Sequence, residues 1–203
     1  MLVNGFCLLL TALLTVEPVD PVKQRFYSPY QGLSLQIKNG EPNEILTNGL
    51  YYQRLLDLSD RAVASNPASL PVRNYYDLPY KFNGNPAADV LIVGAGSGND
   101  VAAAIRNGAG SIDAVEIEPM IYRIGSELHP EFPYQNSTVK IHLTDARQVI
   151  RRSDGRYDLI VYGLLDSHAV LSARAGGVRL DSFVYTVEAF REARALLKPG
   201  GIF

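Results

Sequence analysis

Asp89-Val90-Leu91-Ile92-Val93-Gly94-Ala95-Gly96-Ser97-Gly98-Asn99-Asp100 is the stretch that decides the architecture of this chain. A short apolar run leads into a glycine-rich turn, and a helix-like segment follows the turn. The apolar run is typical of a parallel strand that is buried on both faces. Glycines at alternate positions of the turn let the backbone bend sharply and approach a ligand, because a Cβ would clash there. This order of strand, glycine loop and helix predicts the first unit of a nucleotide-binding α/β sheet.

Strands and helices alternate from this loop to the end of the chain. We expect strands at 111–116, 139–143 and 157–162, and helices at 100–107, 119–128, 146–152 and 186–197. Such alternation predicts a parallel, doubly wound sheet. Pro199-Gly200-Gly201 ends the last helix, and a fifth strand is expected to begin at Ile202. That strand would be cut at its second residue, so the chain is expected to be a fragment or truncated product.

The residues before the glycine loop follow a different pattern. Apolar residues alternate at 33, 35 and 37, and the pairs Asn39-Gly40 and Asn48-Gly49 follow as turns. Two such turns beside alternating residues predict a small antiparallel hairpin unit. A helix is expected at 53–64, and another within 73–81. The predicted organisation is a hydrophobic segment at 1–22, a hairpin domain at 23–65, a connecting segment at 66–88 and the α/β domain at 89–203.

An uncharged, leucine-rich run lies at residues 6–16. It is shorter than the roughly 20 apolar residues that span a bilayer. It also lacks the basic start and the cleavage site of a signal peptide. Two interpretations stay open, the stub of a membrane helix and a short hydrophobic helix packed on the domain. We expect a cytoplasmic domain, which the first of these interpretations would anchor to a membrane through a segment N-terminal to it.

The composition excludes several classes of function. The 203 residues carry a formal net charge of -2, whereas a general nucleic-acid binder usually presents a strongly basic face. Cys7 is the only cysteine, so no intramolecular disulfide can form. No spacing of cysteine and histidine suits a structural zinc ion, and no metal is expected.

Three features indicate which nucleotide the sheet would bind. Asn99 stands where a dinucleotide fingerprint has its third glycine, and a glycine turn alone is also compatible with a loop that binds nothing. Glu116 ends the second strand about 20 residues past the loop, where a carboxylate can accept from both ribose hydroxyls. Asp145-Ala146 follows the third strand, and Asp145 is suited either to an adenine amino group or to capping the next helix. Because no phosphate-binding P-loop exists in the sequence, we expect an adenosyl ligand, S-adenosylmethionine or its decarboxylated form.

The chain resembles the spermidine synthase (polyamine aminopropyltransferase) family from about residue 27 to 203. The resemblance rests on the glycine loop and its strand, on Val115-Glu116-Ile117-Glu118-Pro119, on Asp145-Ala146 and on two later segments, Tyr157-Asp158-Leu159-Ile160-Val161 and Leu196-Leu197-Lys198-Pro199-Gly200-Gly201. The hairpin unit with Tyr30-Gln31 is its more specific part, since plain methyltransferases usually lack it. The expected fold class is therefore α/β, a Rossmann-like sheet of the class I methyltransferase type preceded by a small antiparallel β-hairpin domain.

The resemblance also implies roles for individual residues. The residues that would hold the adenosyl donor are Gln31, Gly94, Gly96, Ser97, Gly98, Glu116, Asp145 and Ala146. Tyr75-Tyr76-Asp77 resembles, loosely, the segment that touches the amine acceptor, so Tyr75 and Asp77 are candidate substrate contacts. Tyr185 resembles the tyrosine that lines the active site. The candidate partners are a small-molecule polyamine or another acceptor, a membrane reached through the N-terminus, and a second copy of the chain in a homodimer.

Two positions depart from the family pattern. Ser97 replaces an aspartate that anchors the free amine of the donor, and Gly163 falls where the family has the acid that helps to deprotonate the attacking amine. An amine must lose its proton before it attacks a sulfonium carbon, so this site needs another base. Asp166 is the candidate catalytic residue, and His168 is either a substitute base or a polar loop residue.

Three hypotheses about function follow. The first is transfer of an aminopropyl group from decarboxylated S-adenosylmethionine to a polyamine such as putrescine. The second is methyl transfer from S-adenosylmethionine, because Ser97 no longer presents a carboxylate against the donor's own. The third is a non-catalytic adenosyl-binding relative. Residues 174–179, which begin and end with arginine, are either a mobile gate over the site or a solvated loop.

Overall fold

The computed structural model describes residues 23–30, 32–38, 41–82, 88–163 and 183–203. They form two sheets, one antiparallel and one parallel, in an α/β arrangement. The hairpin unit and the α/β unit that the sequence predicts are therefore both present. The predicted hydrophobic run at 6–16 lies outside the described residues.

The antiparallel sheet has four strands in the order β1-β2-β3-β4. Their bounds are β1 Lys23–Tyr27, β2 Gly32–Lys38, β3 Glu41–Thr47 and β4 Leu50–Arg54. Asn48 and Gly49 both have positive φ, 50° and 82°, which suits the tight turn that joins β3 to β4. The helix expected from residue 53 is wrong at its start, because residues 50–54 pair with β3 and continue the sheet.

Two helices connect the sheets. Helix α1, Asp60–Ser65, begins where the Ser59 side chain accepts from the amide of Ala62. A single 3₁₀ turn follows, and helix α2 then covers Leu70–Phe82. The helix predicted within 73–81 is therefore confirmed but extends further at its start.

The parallel sheet has five strands in the order β7-β6-β5-β8-β9. Its strands are β5 Asp89–Val93, β6 Ser111–Glu116, β7 Val139–Leu143, β8 Tyr157–Tyr162 and β9 Leu197–Ile202. The helices between them are α3 Asn99–Arg106, α4 Pro119–Leu128, α5 Ala146–Arg152 and α6 Val187–Arg194. All four strand pairings are parallel, which confirms the predicted sheet type.

The end of the chain differs from the prediction. Helix α6 ends at Arg194, and β9 already begins at Leu197, so the strand has six residues instead of two. Pro199 lies within this strand, which is tolerated because β9 is at the edge of the described sheet and its pairing with β8 is irregular. The Lys198 ammonium group holds the strand in place, since it contacts the carboxylates of Asp89 and Asp158 at 2.6 and 2.9 Å.

Three apolar clusters stabilise the two sheets. Alternate residues of β5 point to opposite faces, so that Val90 and Ile92 join the cluster under α3, while Leu91 and Val93 join the cluster under α5 and α6. The third cluster joins the two sheets. In it Leu33 and Leu35 of β2 and Ile45 of β3 pack on α4, with further members Leu55, Ile121 and Ile124. Helix α4 is thus the surface on which the antiparallel sheet rests.

The side-chain amide of Asn99 ties the end of the antiparallel sheet to the first turn of α3. Its Nδ2 donates to the carbonyl oxygen of Arg54 at 2.8 Å, and its Oδ1 accepts from the amide of Leu56 at 3.2 Å. The same Oδ1 lies 3.1 Å from Nε2 of buried His129. Because Nδ1 of His129 accepts from the amide of Glu131, Nε2 carries the hydrogen and donates to Asn99. Burial, followed by the charge of Arg106, lowers the pKa of His129 to about 4, so the ring is neutral at pH 7.

Within the described ranges, no helix is both long and apolar enough to cross a bilayer.

We expect Asn99→Ala to lower the free energy of unfolding by about 3 kcal/mol, because it leaves buried partners on both sides of the joint unsatisfied. Asn107→Ala, at the other end of α3, is the matched control, since it removes one hydrogen bond to the carbonyl of Ala103. The control should lose about 1 kcal/mol. Urea unfolding of both variants measures the difference. Equal losses would contradict the special role of Asn99.

Candidate functional site

The candidate site lies at the carboxyl edge of the parallel sheet, where four neighbouring strands end. The glycine loop follows β5, Glu116 ends β6, Asp145 follows β7 and Gly163 follows β8. Parallel strands place such positions along one edge, which is where open α/β sheets bind ligands. The structure therefore brings most of the predicted donor residues to one side of the molecule.

The glycine loop uses all of its amides within the protein. Gly94 and Ala95 donate to the carbonyl oxygen of Val115, and Gly98 donates to the carbonyl of Ala95. The amide of Gly96 donates to Glu116 at 2.7 Å, and the amide of Ser97 donates to Gln53 at 3.0 Å. A loop that cradles phosphate presents free amides to its ligand. This loop presents none, so it suits a ligand without phosphate.

Glu116 is buried and braces the loop from the second strand. One carboxylate oxygen accepts from Gly96, and the other accepts from the amide of Glu118 at 2.8 Å. Burial raises the pKa of Glu116, and the bonds from these amides oppose that shift. Each carboxylate oxygen can accept more than one hydrogen bond, so these contacts leave acceptor capacity for ligand hydroxyls. The ribose role of Glu116 stays a prediction.

Gln53 is a site residue that the sequence analysis missed. It lies on β4, and its Oε1 accepts from both the amide and the hydroxyl of Ser97, at 3.0 and 2.7 Å. Gly96 beneath it has a φ of +58°, and a Cβ there would come within 2.9 Å of Gln53 Oε1. The antiparallel sheet therefore closes the glycine loop with one side chain. The signal was the strand at 50–54, whose last two residues the sequence analysis assigned to a helix.

Asp145 caps helix α5. Its side chain accepts from the amide of Arg147 at 2.6 Å, so the capping interpretation is confirmed, while the adenine contact stays a prediction. Ala146 is the first residue of the same helix and packs at the margin of the cluster under α5 and α6. The guanidinium of Arg147 contacts the Phe183 carbonyl and the Thr186 hydroxyl, which joins α5 to the segment before α6.

Gly163 and Tyr185 meet at the end of β8. The Tyr185 hydroxyl donates to the carbonyl of Gly163 at 3.3 Å, so the predicted active-site tyrosine does lie at this edge. A Cβ on residue 163 would stand 2.5 Å from the carbonyl oxygen of Gly94. The backbone here admits no side chain, so the acid of the family pattern has no room at this position.

The two candidate acceptor contacts on α2 occupy different surroundings. Asp77 is buried and pairs with Arg73 at 3.2 Å and with Arg106 at 3.3 Å, whereas Tyr75 is 58% exposed. No contact in the described part of the chain joins either residue to the glycine loop, and their role in substrate binding stays a prediction. Gln31, Asp166, His168 and the predicted gate at 174–179 lie outside the described residues.

No group of three or more histidine, cysteine or acidic residues in the described ranges is placed to hold a metal ion.

The fold is that of spermidine synthase structures. A spermidine synthase in complex with the transition-state analogue AdoDATO superposes with a TM-score of 0.66 at 11% identity, over 86% of this chain and 54% of that one. The spermidine synthase of Thermotoga maritima gives 0.63 at 12% identity, over 86% and 53%. The chain thus spans about half the length of these proteins. No protein-family model matches the sequence, and no curated protein sequence matches it significantly.

The predicted ribose role of Glu116 can be tested with methylthioadenosine. We expect Glu116→Gln to weaken its binding about 10- to 100-fold in calorimetry, because a charged acceptor is lost. The preference of the protein for methylthioadenosine over its 2′-deoxy analogue should fall as well. Glu118→Gln is the control, since Glu118 is equally buried but accepts from Ser28 and Met120. Unchanged discrimination in Glu116→Gln would contradict the assignment.

We expect Gly163→Ala to destabilise the fold by about 2–4 kcal/mol, because the new Cβ would overlap the carbonyl of Gly94. Gly32→Ala is the control, since a Cβ there meets only the Asn48 side chain, at an ordinary 3.5 Å. Chemical denaturation measures both variants. A stable Gly163→Ala protein with unchanged methylthioadenosine affinity would show that the loop can move aside.

Proposed function

We propose that this chain binds an S-adenosylmethionine-type donor and transfers the aminopropyl group of decarboxylated S-adenosylmethionine to a small amine such as putrescine. The observation that carries the proposal is the glycine loop, whose amides are all bonded within the protein and which Gln53 closes from the antiparallel sheet. A donor with an adenosyl group and a sulfonium centre, and with no phosphate, suits such a loop.

The arrangement of acceptors supports the adenosyl part of the proposal. Glu116 lies at the end of β6, and its carboxylate oxygens have lone pairs left for two ribose hydroxyls. Asp145 follows the neighbouring strand β7, and only one of its two carboxylate oxygens accepts the capping hydrogen bond. Carboxylates at the edge also favour a positively charged ligand over an anionic one. A sulfonium donor is cationic, and so is a protonated amine acceptor.

In this reaction the acceptor's neutral nitrogen attacks the aminopropyl carbon that is bonded to the sulfonium sulfur. A carbon–nitrogen bond forms, the carbon–sulfur bond breaks, and its electron pair stays on sulfur. Methylthioadenosine leaves as a neutral thioether, and the new ammonium group gives its extra proton to a base or to water. Tyr185 and Gly163 at the end of β8 would border the reacting centre, and Asp166 is the candidate base.

The comparisons support the proposal at the level of fold. The spermidine synthase structures superpose on 86% of this chain, and one of them is in complex with a transition-state analogue. Identities of 11% and 12% leave the aminopropyl chemistry and the polyamine acceptor as proposals.

Methyl transfer from S-adenosylmethionine is the second candidate. The observation that favours it is the lack of an acid at residues 97 and 163. Residue 97 is a serine whose hydroxyl donates to Gln53, and residue 163 has no room for a side chain. Without a carboxylate at residue 97, the loop does not repel the carboxylate of S-adenosylmethionine. The third candidate is an adenosyl-binding relative without catalysis. It predicts that the chain binds a donor and forms no product from it.

The test supplies purified protein with putrescine and either donor, and follows products by chromatography. We expect methylthioadenosine from the decarboxylated donor, and no S-adenosylhomocysteine from S-adenosylmethionine. Gln53→Ala should lower kcat/KM at least about 10-fold, because the loop loses its clamp. Gln135→Ala should not, since the Gln135 side-chain amide donates to the Ser126 carbonyl, away from the glycine loop. S-adenosylhomocysteine alone would favour methyl transfer, and donor binding without any product would favour the non-catalytic alternative.

A further inference from the structure

The phenol of Tyr134 contacts the glycine loop directly. Tyr134 lies in the 3₁₀ turn that begins at Pro133, between α4 and β7, and its hydroxyl donates to the carbonyl oxygen of Gly96 at 2.7 Å. Burial, followed by the charge of Glu116, raises the pKa of this phenol, so the hydroxyl keeps its proton at neutral pH. The loop therefore has a side-chain partner at a carbonyl as well as partners at its amides.

The bonds from Tyr134 and from Gln53 meet on one peptide unit. The carbonyl of Gly96 accepts from Tyr134, and the amide of Ser97, which belongs to the same peptide group, donates to Gln53 at 3.0 Å. The peptide is trans, and the C=O and N–H of a trans peptide point in opposite directions. The two side chains therefore hold this unit from opposite sides, and it cannot rotate without breaking one of the two bonds.

The turn that carries Tyr134 is packed closely against the loop. A Cβ on Gly98 would stand 2.6 Å from the ring of Pro133 and 3.2 Å from the ring of Tyr134. On its other side, the Tyr134 ring packs edge-on against Tyr122 of α4, with the two centroids 5.0 Å apart. These contacts fix the position of the phenol, so its hydroxyl is a rigid support for the Gly96 carbonyl.

The peptide between Gly96 and Ser97 needs such a support. A residue without a Cβ adopts many backbone conformations, so Gly96 by itself does not fix the orientation of this peptide. Both residues are buried, and a carbonyl that loses its partner there is unfavourable. A rotation of the peptide would release the Ser97 amide from Gln53, and a released amide in a glycine loop is a donor for phosphate.

We infer that Tyr134 is a positioning residue that makes the site select adenosyl ligands without phosphate. By holding the Gly96 carbonyl, it keeps the Ser97 amide on Gln53 and away from a phosphate group. This role rests on the proposed function, in which neither the donor nor methylthioadenosine carries a phosphate, and it gives the specificity of that same site. It concerns the recognition of the ligand and is independent of the transfer step.

The first test is amide hydrogen exchange of the whole ligand-free chain, followed by NMR. We expect Tyr134→Phe to accelerate exchange of the Ser97 amide about 10- to 100-fold relative to that of Ile92, because the peptide loses one of its two supports. The Ile92 amide lies in the buried strand β5 and reports on global unfolding. Tyr122→Phe is the matched control, since it removes a hydroxyl from the neighbouring ring and leaves the bond to Gly96 in place.

The second test is calorimetry with methylthioadenosine and with adenosine 5′-monophosphate, which shares the adenosine and adds a phosphate. The natural chain should prefer methylthioadenosine, and Tyr134→Phe should narrow that preference about 10-fold, whereas Tyr122→Phe should keep it. A merely structural loss would weaken both ligands equally. In a Gln53→Ala background, Tyr134→Phe should cost little further preference, because both side chains act on the same peptide.

Three results would overturn the role of Tyr134: equal acceleration at Ser97 and Ile92, an unchanged ligand preference in Tyr134→Phe, or a natural chain that does not prefer methylthioadenosine. The proposed function fails separately. If the natural chain forms no methylthioadenosine from the decarboxylated donor but Tyr134→Phe loses the preference, the specificity role stands and the transfer reaction does not. If the natural chain is active and Tyr134→Phe keeps both the exchange rate and the preference, the reverse holds.

Discussion

The amide of Asn99 is the contact on which the arrangement of the site depends. It bonds to the carbonyl of Arg54 and to the amide of Leu56, so the end of β4 is held against the first turn of α3. Gln53 is the neighbour of Arg54, and this anchor sets its side chain over Ser97. A glycine at residue 99, as in a dinucleotide fingerprint, would give the loop no such connection. The departure from that fingerprint therefore adds a polar connection between the two sheets to the apolar cluster on α4.

The glycine loop has no free backbone amide, and this decides which ligands the edge of the sheet can hold. Its amides are all used within the protein, and the groups that remain are carboxylate oxygens on Glu116 and Asp145. Such an edge accepts hydrogen bonds from hydroxyl and ammonium groups and offers little to an anion. The burial that raises the pKa of Glu116 has the same consequence, because a buried carboxylate gains more from a cationic or hydroxyl-bearing ligand than an exposed one.

The sequence predicts the parallel sheet well and the connections between elements less well. Strands β5, β6 and β8 follow from largely apolar runs that adjoin Gly94, Gly110 and Gly163, and that local signal is enough for a buried strand. Gln53 was missed because the residues of β4 have no clear alternation, and only their pairing with β3 makes them a strand. Strand β9 begins earlier than expected because pairing with β8 outweighs the local preference of Pro199 and Gly200 for a turn. Arg73, one partner of Asp77, lies one helical turn earlier, but the other partner, Arg106, is 29 residues away, and no local pattern reveals that pair.

The lack of space for a side chain at residue 163 constrains any chemistry at this edge. Its amide donates to the carbonyl of Val93, and the position of a Cβ is filled by the carbonyl of Gly94, so β8 presses directly on the glycine loop. An acid at that place would require the loop to move, and the loop is held by Glu116 and Gln53. Negative charge for an amine substrate must therefore come from another element.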